Sequence, residues 1–88
     1  MHFVVAYDIV QDRRRNKVMN VLKNVGLRVQ YSVFECDLTM SAASDLFRRL
    51  EELANPRSDR IHMYALCDTC FFRSQSVGSQ IKPRWETV

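Results

Sequence analysis

Asp8 is the residue whose type and position point most directly to chemistry in this 88-residue chain. It follows residues 2–7, a mostly apolar run rich in β-branched and aromatic residues that is typical of a central strand covered on both faces. A carboxylate in such a place loses hydration unless it finds a cation, a metal ion or hydrogen-bond donors. The sequence leaves two interpretations open: a cap or ion pair with Arg14 or Arg15, or a ligand to a divalent metal ion.

The metal interpretation depends on a second copy of the chain. Mg²⁺ is usually bound by one or two protein carboxylates together with water and substrate phosphates. No second acidic residue lies near Asp8 on the predicted strand, and Asp12 falls within the helix that follows. A two-fold dimer that brings Asp8 and its copy together would supply the missing carboxylate.

A dense cationic cluster follows, formed by the three arginines of residues 13–15 and by Lys17 at the start of a predicted helix. Phosphate groups bind well there, because the backbone N–H groups of a helix start add to the side-chain charge. Consecutive arginines point in different directions around a helix, so at most two of these three can serve one site. The alternative is that they pair with nearby acids, namely Asp8, Asp12 and Glu35.

The charge distribution is uneven. The formal net charge is +3, and residues 1–28 hold six Lys or Arg against two Asp. A basic first third is typical of proteins that bind nucleic acid, although a solvated helix face has the same composition. Tyr31 and Phe34 could stack on bases, but strand aromatics usually lie in the core. The aromatic-glycine motif of RNA-recognition domains is absent.

A Cys-x-x-Cys pair, Cys67 and Cys70, lies just after the last predicted strand. Zinc requires four ligands, and the remaining candidates, Cys36, His2 and His62, show no second paired spacing. We therefore expect both thiols to pack among apolar side chains, with redox sensitivity as a by-product. We expect His62, in the middle of a strand, to be structural.

The hydrophobic periodicity places two helices between the strands. The first has apolar residues at helical spacing and ends before Gly26; these residues are Val18, Val21, Leu22 and Val25. Thr39 suits the N-cap of the second helix, which ends at the Asn-Pro pair of residues 55–56. Its apolar face consists of Ala43, Leu46, Phe47, Leu50 and Leu53. Residues 60–66 form the last predicted strand.

Residues 27–38 are strand-like but long for a single strand. A hairpin would explain the length, yet no Asn-Gly or Asp-Gly turn marks a bend, so the sequence leaves the choice open. Alternation along the segment places Leu27, Val29, Tyr31 and Val33 on one face and Arg28, Gln30, Ser32 and Phe34 on the other.

The element order β-α-β-β-α-β predicts an α+β, ferredoxin-like fold with two helices on one face of an antiparallel sheet. The other face stays open, so we expect the sheet to pair with a second copy. We assign residues 1–70 to this domain and residues 71–88 to a C-terminal tail that contributes to the dimer. The composition, 47% hydrophobic and 26% charged, excludes a disordered or collagenous chain. We expect no membrane association, and three cysteines without a sign of export indicate a reducing cytoplasm.

Three blocks of sequence resemble the CRISPR-associated Cas2 family of the spacer-acquisition module. The first runs from Tyr7-Asp8-Ile9 into residues 12–18, the second is GLRVQYSVFE at residues 26–35, and the third is IHMYALC at residues 61–67. The resemblance extends over residues 3–70, and its second block is the most specific.

The resemblance implies a homodimer in which a C-terminal edge strand, around residues 77–81, crosses to the partner's sheet. It implies that the Asp8 residues of both subunits share a metal ion, Mg²⁺ or alternatively Mn²⁺. With Asp8, the family positions linked to activity fall on Tyr7, Arg15, Arg28 and Phe34, which are therefore the predicted catalytic residues. A further basic family position falls on Lys17, which keeps the charge but lacks the bidentate fork of arginine.

Two functions follow from the resemblance. In the first, the chain is a metal-dependent endonuclease in antiviral defence, acting on single-stranded RNA, double-stranded DNA or both, with Arg15 and Arg28 clamping the phosphate. In the alternative, the dimer is a non-catalytic scaffold that binds duplex DNA between two dimers of the CRISPR adaptation integrase. The residues alone also allow a third function, a small sheet-paired interaction module with no nucleic-acid role.

Overall fold

A computed structural model describes residues 1–72 as one antiparallel sheet with helices between and after its strands. The elements are β1 (His2–Asp8), α1 (Asp12–Lys23), β2 (Gly26–Gln30), β3 (Val33–Asp37), α2 (Met40–Leu53), β4 (Arg60–Leu66) and α3 (Asp68–Phe72). The strand order is β2-β3-β1-β4, so β3 and β1 are central. The predicted α+β, ferredoxin-like fold is confirmed.

Strand alternation divides the side chains of the sheet between a covered face and an open face. On β1, Phe3, Val5 and Tyr7 are buried, whereas Val4 and Ala6 between them are partly exposed. The buried residues pack with apolar residues of both long helices and of β3: Val18, Leu22, Ala43, Leu46, Leu50, Phe34 and Cys36. Both helices therefore cover the same face of the sheet. Asp8 lies at the end of β1 and, by the same alternation, belongs to the opposite face.

The segment between the two long helices forms a hairpin. A turn at Tyr31 and Ser32 joins β2 to β3, and the ladder shifts between Arg28 and Gln30, where Val29 is an extra residue. The predicted alternation through the whole segment is wrong, because the turn and the bulge each reset which face a side chain occupies. As a result Tyr31 stands on the turn with 70% of its surface exposed.

Helix α2 has the start and end that its sequence predicts. The Thr39 hydroxyl oxygen accepts a hydrogen bond from the backbone N–H of Ala42 at 3.1 Å, which satisfies one donor of the first turn. Leu53 is the last helical residue, two positions before the Asn-Pro pair. The loop that follows places Asp59 against Arg14 of α1.

The short helix α3 is an addition to the predicted elements and crosses the predicted boundary between residues 70 and 71. The predicted exchanged strand around residues 77–81 lies outside the described residues. Within residues 1–72, no helix is long and apolar enough to cross a membrane.

Candidate nucleic-acid interface

Asp8 lies at the exposed end of β1, where the open face of the sheet meets the loop to α1. Its register partner in the β1–β4 ladder is Arg60, but its carboxylate makes no hydrogen bond or ion pair with any group in residues 1–72. The predicted pairing with Arg14 or Arg15 is wrong, because both guanidinium groups are directed at other oxygens. The Asp8 carboxylate is therefore available to a ligand.

Arg14 is engaged by Asp59, a residue that sequence reasoning missed. Its Nε donates to Oδ2 of Asp59 at 2.7 Å and its Nη2 to Oδ1 at 3.2 Å, and the Asp59 side chain is fully buried. Hydrogen bonds from the Arg14 side chain and from the backbone N–H of Asn55 hold the pKa of Asp59 below its usual range. No sequence signal marks this pair, because its partners are far apart in the chain and meet only when the fold closes.

Arg15 holds the loop that follows Asp8. Its Nη1 donates to the carbonyl oxygens of Ile9 and Val10, each at 3.2 Å, and its Nη2 donates to the carboxylate of Asp12. Arg14 and Arg15 bind separate partners, as expected for adjacent arginines on a helix. Of the acids considered as partners for the cluster, Asp12 pairs with Arg15.

Tyr7 is buried directly before Asp8 and packs against Phe34, with ring centroids 6.3 Å apart and planes 25° apart. Burial raises the pKa of the Tyr7 phenol, and the nearby charges of Arg28 and Arg15 offset part of that rise. Tyr7 is therefore a neutral hydrogen-bond donor at physiological pH. Phe34 is fully buried, as expected for a strand aromatic, and touches the site through Tyr7.

Arg28 and Tyr31 form a second unit at the hairpin turn. The Nε and Nη2 of Arg28 donate to the carbonyl oxygen of Tyr31 at 3.2 and 2.9 Å, and the guanidinium carbon lies 5.1 Å from the centre of the Tyr31 ring. No carboxylate in residues 1–72 pairs with Arg28, so these neutral partners position its charge without cancelling it.

Two adjoining hollows connect these residues. One has a volume of about 220 Å³ and is lined by Tyr7, Arg15, Asn16, Met19, Arg28 and Tyr31. The other, of about 340 Å³, is lined by Tyr7, Asp8, Ile9, Val10, Arg15, Tyr31 and Ser32. Tyr7, Arg15 and Tyr31 line both, so the structure brings four of the predicted site residues to one end of the sheet, with the fifth, Phe34, behind them.

A single chain supplies little of a metal site. Residues 1–72 contain no group of three His, Cys, Asp or Glu side chains placed to hold a metal ion. Asp8 contributes one exposed carboxylate that forms no ion pair with the cations of residues 1–72.

The two cysteines depart from the prediction. Cys67 and Cys70 are both exposed, so apolar packing is wrong for them. Cys67 precedes α3, and its sulfur accepts a hydrogen bond from the backbone N–H of Cys70 at 3.5 Å. That hydrogen bond lowers the pKa of the Cys67 thiol, whereas the adjacent Cys67 sulfur raises that of Cys70.

The face of the sheet opposite the two long helices carries exposed rings on β4. On β4, the rings of His62 and Tyr64 stack with centroids 6.1 Å apart, and Tyr64 is 55% exposed. They stand beside Val4 and Ala6 of β1 in the ladder. Self-association through this face stays a prediction.

Taken together, residues 1–72 define a small ferredoxin-like α+β domain in which the exposed strand-end carboxylate of Asp8 lies near Arg15 and Arg28. A model of the CRISPR associated protein Cas2 family matches residues 1–74. The chain belongs to this family, and the resemblance found in its sequence is confirmed.

Individual relatives agree. The CRISPR-associated endoribonuclease Cas2 4 of Rhodospirillum rubrum is 40% identical over 80 residues, which are 91% of this chain and 64% of that relative, so the match spans less than two thirds of its length. The structure of Streptococcus pyogenes Cas2 at pH 6.5 is 30% identical, with a TM-score of 0.79 over 89% of this chain and 100% of that one. A chain of a partial Cas6-RT-Cas1–Cas2 complex is 25% identical, with a TM-score of 0.75 over 90% of this chain and 86% of its own.

Proposed function

We propose that the chain is a metal-dependent endonuclease of CRISPR spacer acquisition that works as a homodimer on RNA, duplex DNA or both. The observation that carries the proposal is the position of Asp8, which is exposed at the end of β1 and forms no ion pair with the cations of residues 1–72. Its hollow adjoins the hollow that contains Arg28. A carboxylate and an unneutralised guanidinium at one strand end are suited to a phosphodiester and its metal counter-ion.

The dimer is part of the proposal, since one chain provides one carboxylate. The exposed rings of β4 give the open face of the sheet a surface for a second copy, and a two-fold axis there would bring the two Asp8 residues toward each other. A Mg²⁺ ion held between them would supply an activated water and polarise the scissile phosphate. Analytical ultracentrifugation should find a dimer, and a monomer at working concentrations would contradict the shared site.

Four further residues would bind the substrate or position the site. Arg28, held by the Tyr31 carbonyl and unpaired with any carboxylate in residues 1–72, would bind a phosphate oxygen. Tyr7, kept neutral by its raised pKa, would donate a hydrogen bond from its hydroxyl group. Arg15 acts indirectly, because it holds the Ile9 and Val10 carbonyls and so positions the loop next to Asp8. Phe34 positions Tyr7 from the core.

The test compares purified wild-type protein with Asp8→Asn and a matched control, Asp45→Asn. Asp45 is an exposed carboxylate on α2 that pairs with Arg48 at 3.3 Å, away from the two hollows. With end-labelled single-stranded RNA and duplex DNA, we expect Mg²⁺-dependent cleavage by wild type and Asp45→Asn, none by Asp8→Asn, and none in EDTA. Equal cleavage by Asp8→Asn and wild type would overturn the assignment.

A scaffold without catalysis is the second candidate. Two specific observations favour it. Within residues 1–72, no group of three metal-ligating side chains surrounds Asp8, and the chain shares its fold with a chain of a complex that contains Cas1. In this function the dimer would hold duplex DNA between two dimers of the adaptation integrase Cas1, and Asp8 would not be needed. Duplex binding should then weaken steeply with salt, and Asp8→Asn should still bind DNA and co-purify with Cas1. Binding that ignores salt would contradict it.

A further inference from the structure

We infer that Tyr31 is a stacking platform for an unpaired base, so that the interface prefers single-stranded over duplex nucleic acid. The inference rests on the proposed function for the location of the phosphate. It deepens that function by naming the form of the substrate. Neither the family match nor the relatives assign a role to this residue.

The first observation is the exposure of Tyr31. The residue is 70% exposed, although it lines the same hollows as the buried Tyr7. Aromatic side chains usually stabilise a protein by being buried, and an exposed ring at a turn does not contribute in this way. An exposed ring can instead bind a ligand by stacking, and nucleobases are the flat rings that stack on aromatic side chains in nucleic-acid-binding proteins.

The second observation is that the ring is held in place from one side. The Arg28 guanidinium lies over it at 5.1 Å and also donates two hydrogen bonds to the Tyr31 carbonyl. These contacts tie the ring and the backbone of the same residue to one side chain. The platform is therefore ordered before a ligand arrives, which reduces the entropy lost on binding.

The third observation is where the platform stands. Tyr31 lines both hollows, whereas Arg28 lines only the one away from Asp8. A base in the hollow next to Asp8 would therefore lie against Tyr31, close to the carboxylate. Asn16 lines the other hollow and offers an amide to a neighbouring base edge or sugar.

Duplex nucleic acid cannot use this platform without unpairing, because its bases are stacked on one another inside the helix. A single strand has unstacked bases that can lie on an aromatic ring. The arrangement therefore favours single strands, or duplexes with frayed or unpaired ends, over continuous duplex. Since every base has a flat face, we expect little sequence preference.

The experiment measures dissociation constants by fluorescence anisotropy in EDTA, where no cleavage occurs. The probes are a labelled single-stranded RNA, the same RNA with abasic positions, and a duplex DNA of equal length. We expect Tyr31→Ala to weaken binding of the single strand by about 5- to 150-fold, the range of one lost base–aromatic stack. Tyr31→Phe keeps the ring and should bind as wild type does.

Tyr31→Ala should leave the abasic RNA and the duplex unchanged, which separates stacking from a general loss of structure. Unchanged single-strand binding by Tyr31→Ala, an equal loss on all three probes, or no single-strand binding by wild type would overturn the inference. Cleavage is scored separately with Mg²⁺. Stacking without cleavage would contradict the proposed nuclease activity but not the stacking role of Tyr31. Cleavage without stacking would contradict the role of Tyr31 but not the nuclease activity.

Discussion

Arg14 at the start of α1 is bound through two of its guanidinium nitrogens to the buried carboxylate of Asp59, at 2.7 and 3.2 Å. Asp59 also accepts from the backbone N–H of Asn55 at 2.8 Å and from the Ser58 hydroxyl at 3.2 Å. One carboxylate thus ties the loop before β4 to the helix that follows Asp8. The cationic cluster of the sequence therefore has a structural member, and Arg14 is not free to bind phosphate.

Asp59→Asn should lower the free energy of unfolding by about 1–3 kcal/mol, because the buried guanidinium contacts lose their charged acceptor. Asp45→Asn is the matched control: its pair with Arg48 is about two thirds exposed on both sides, so the change should be small. Chemical denaturation of the three proteins measures the difference. Equal stability of wild type and Asp59→Asn would show that the pair contributes nothing.

The same carboxylate predicts an acid-dependent component of stability. The Arg14 hydrogen bond is the largest cause of its lowered pKa, and the ordinary value is 3.8. A lowered folded-state pKa gives stability that is fully present above the unfolded-state value and is lost as the pH falls through the folded-state value. The stability difference between wild type and Asp59→Asn should therefore be constant near neutral pH and shrink below pH 3.8. Urea unfolding across this range measures it, and a pH-independent difference would contradict the assignment.

Arg15 and Arg28 should respond differently to the loss of charge. Arg28→Gln removes an unneutralised cation, so the slope of log Kd for nucleic acid against log salt should fall by about one. Arg15→Gln removes a cation already paired with Asp12, and its main effect should be faster amide exchange in residues 8–11. Salt titrations and hydrogen exchange measure the two effects. Identical behaviour of the two variants would refute the division of roles.

Gly26→Ala should destabilise the β2–β3 ladder. A Cβ at this position would lie 2.5 Å from the Glu35 carbonyl oxygen and 2.6 Å from the Cys36 sulfur, closer than real contacts allow. Overpacking of this kind costs about 1–3 kcal/mol. Thermal unfolding should show a lower midpoint, and Val25→Ala, one residue earlier and 37% exposed, is the control for a tolerated change. An unchanged midpoint for Gly26→Ala would contradict the close approach.

Cys67 should react with iodoacetamide before Cys70 near neutral pH. The backbone N–H of Cys70 donates to the Cys67 sulfur and lowers its thiol pKa, while the pKa of Cys70 is raised. The thiolate is the reactive form, so Cys67 has the larger reactive fraction at a given pH. Peptide mass spectrometry after brief alkylation ranks the two sites, with buried Cys36 as the slow reference. Faster labelling of Cys70 would refute the order.

Local sequence patterns predicted most of the helices and strands. Periodic apolar residues determined α1 and α2, the Thr39 hydroxyl marked a helix start, and the Asn-Pro pair marked a helix end, because these signals act within a few residues of one another. The hairpin turn at Tyr31 and Ser32 could not be predicted from the sequence, because it lacks the Asn-Gly or Asp-Gly pair that is typical of tight turns. Its position after an apolar strand identified Asp8 as a candidate site residue, and the family resemblance added Tyr7, Arg15, Arg28 and Phe34.

What the sequence determined by itself is the set of chemical groups: a strand-end carboxylate, a basic helix start, and aromatic residues around a predicted strand pair. Tertiary structure decided which groups meet. It directed Arg14 to Asp59 and Arg15 to the Ile9 and Val10 carbonyls. Among the described residues 1–72, it left Asp8 without an ion pair. The physical reason is that ion pairs form between groups brought together by packing of the core, and neighbours in space need not be neighbours in the chain.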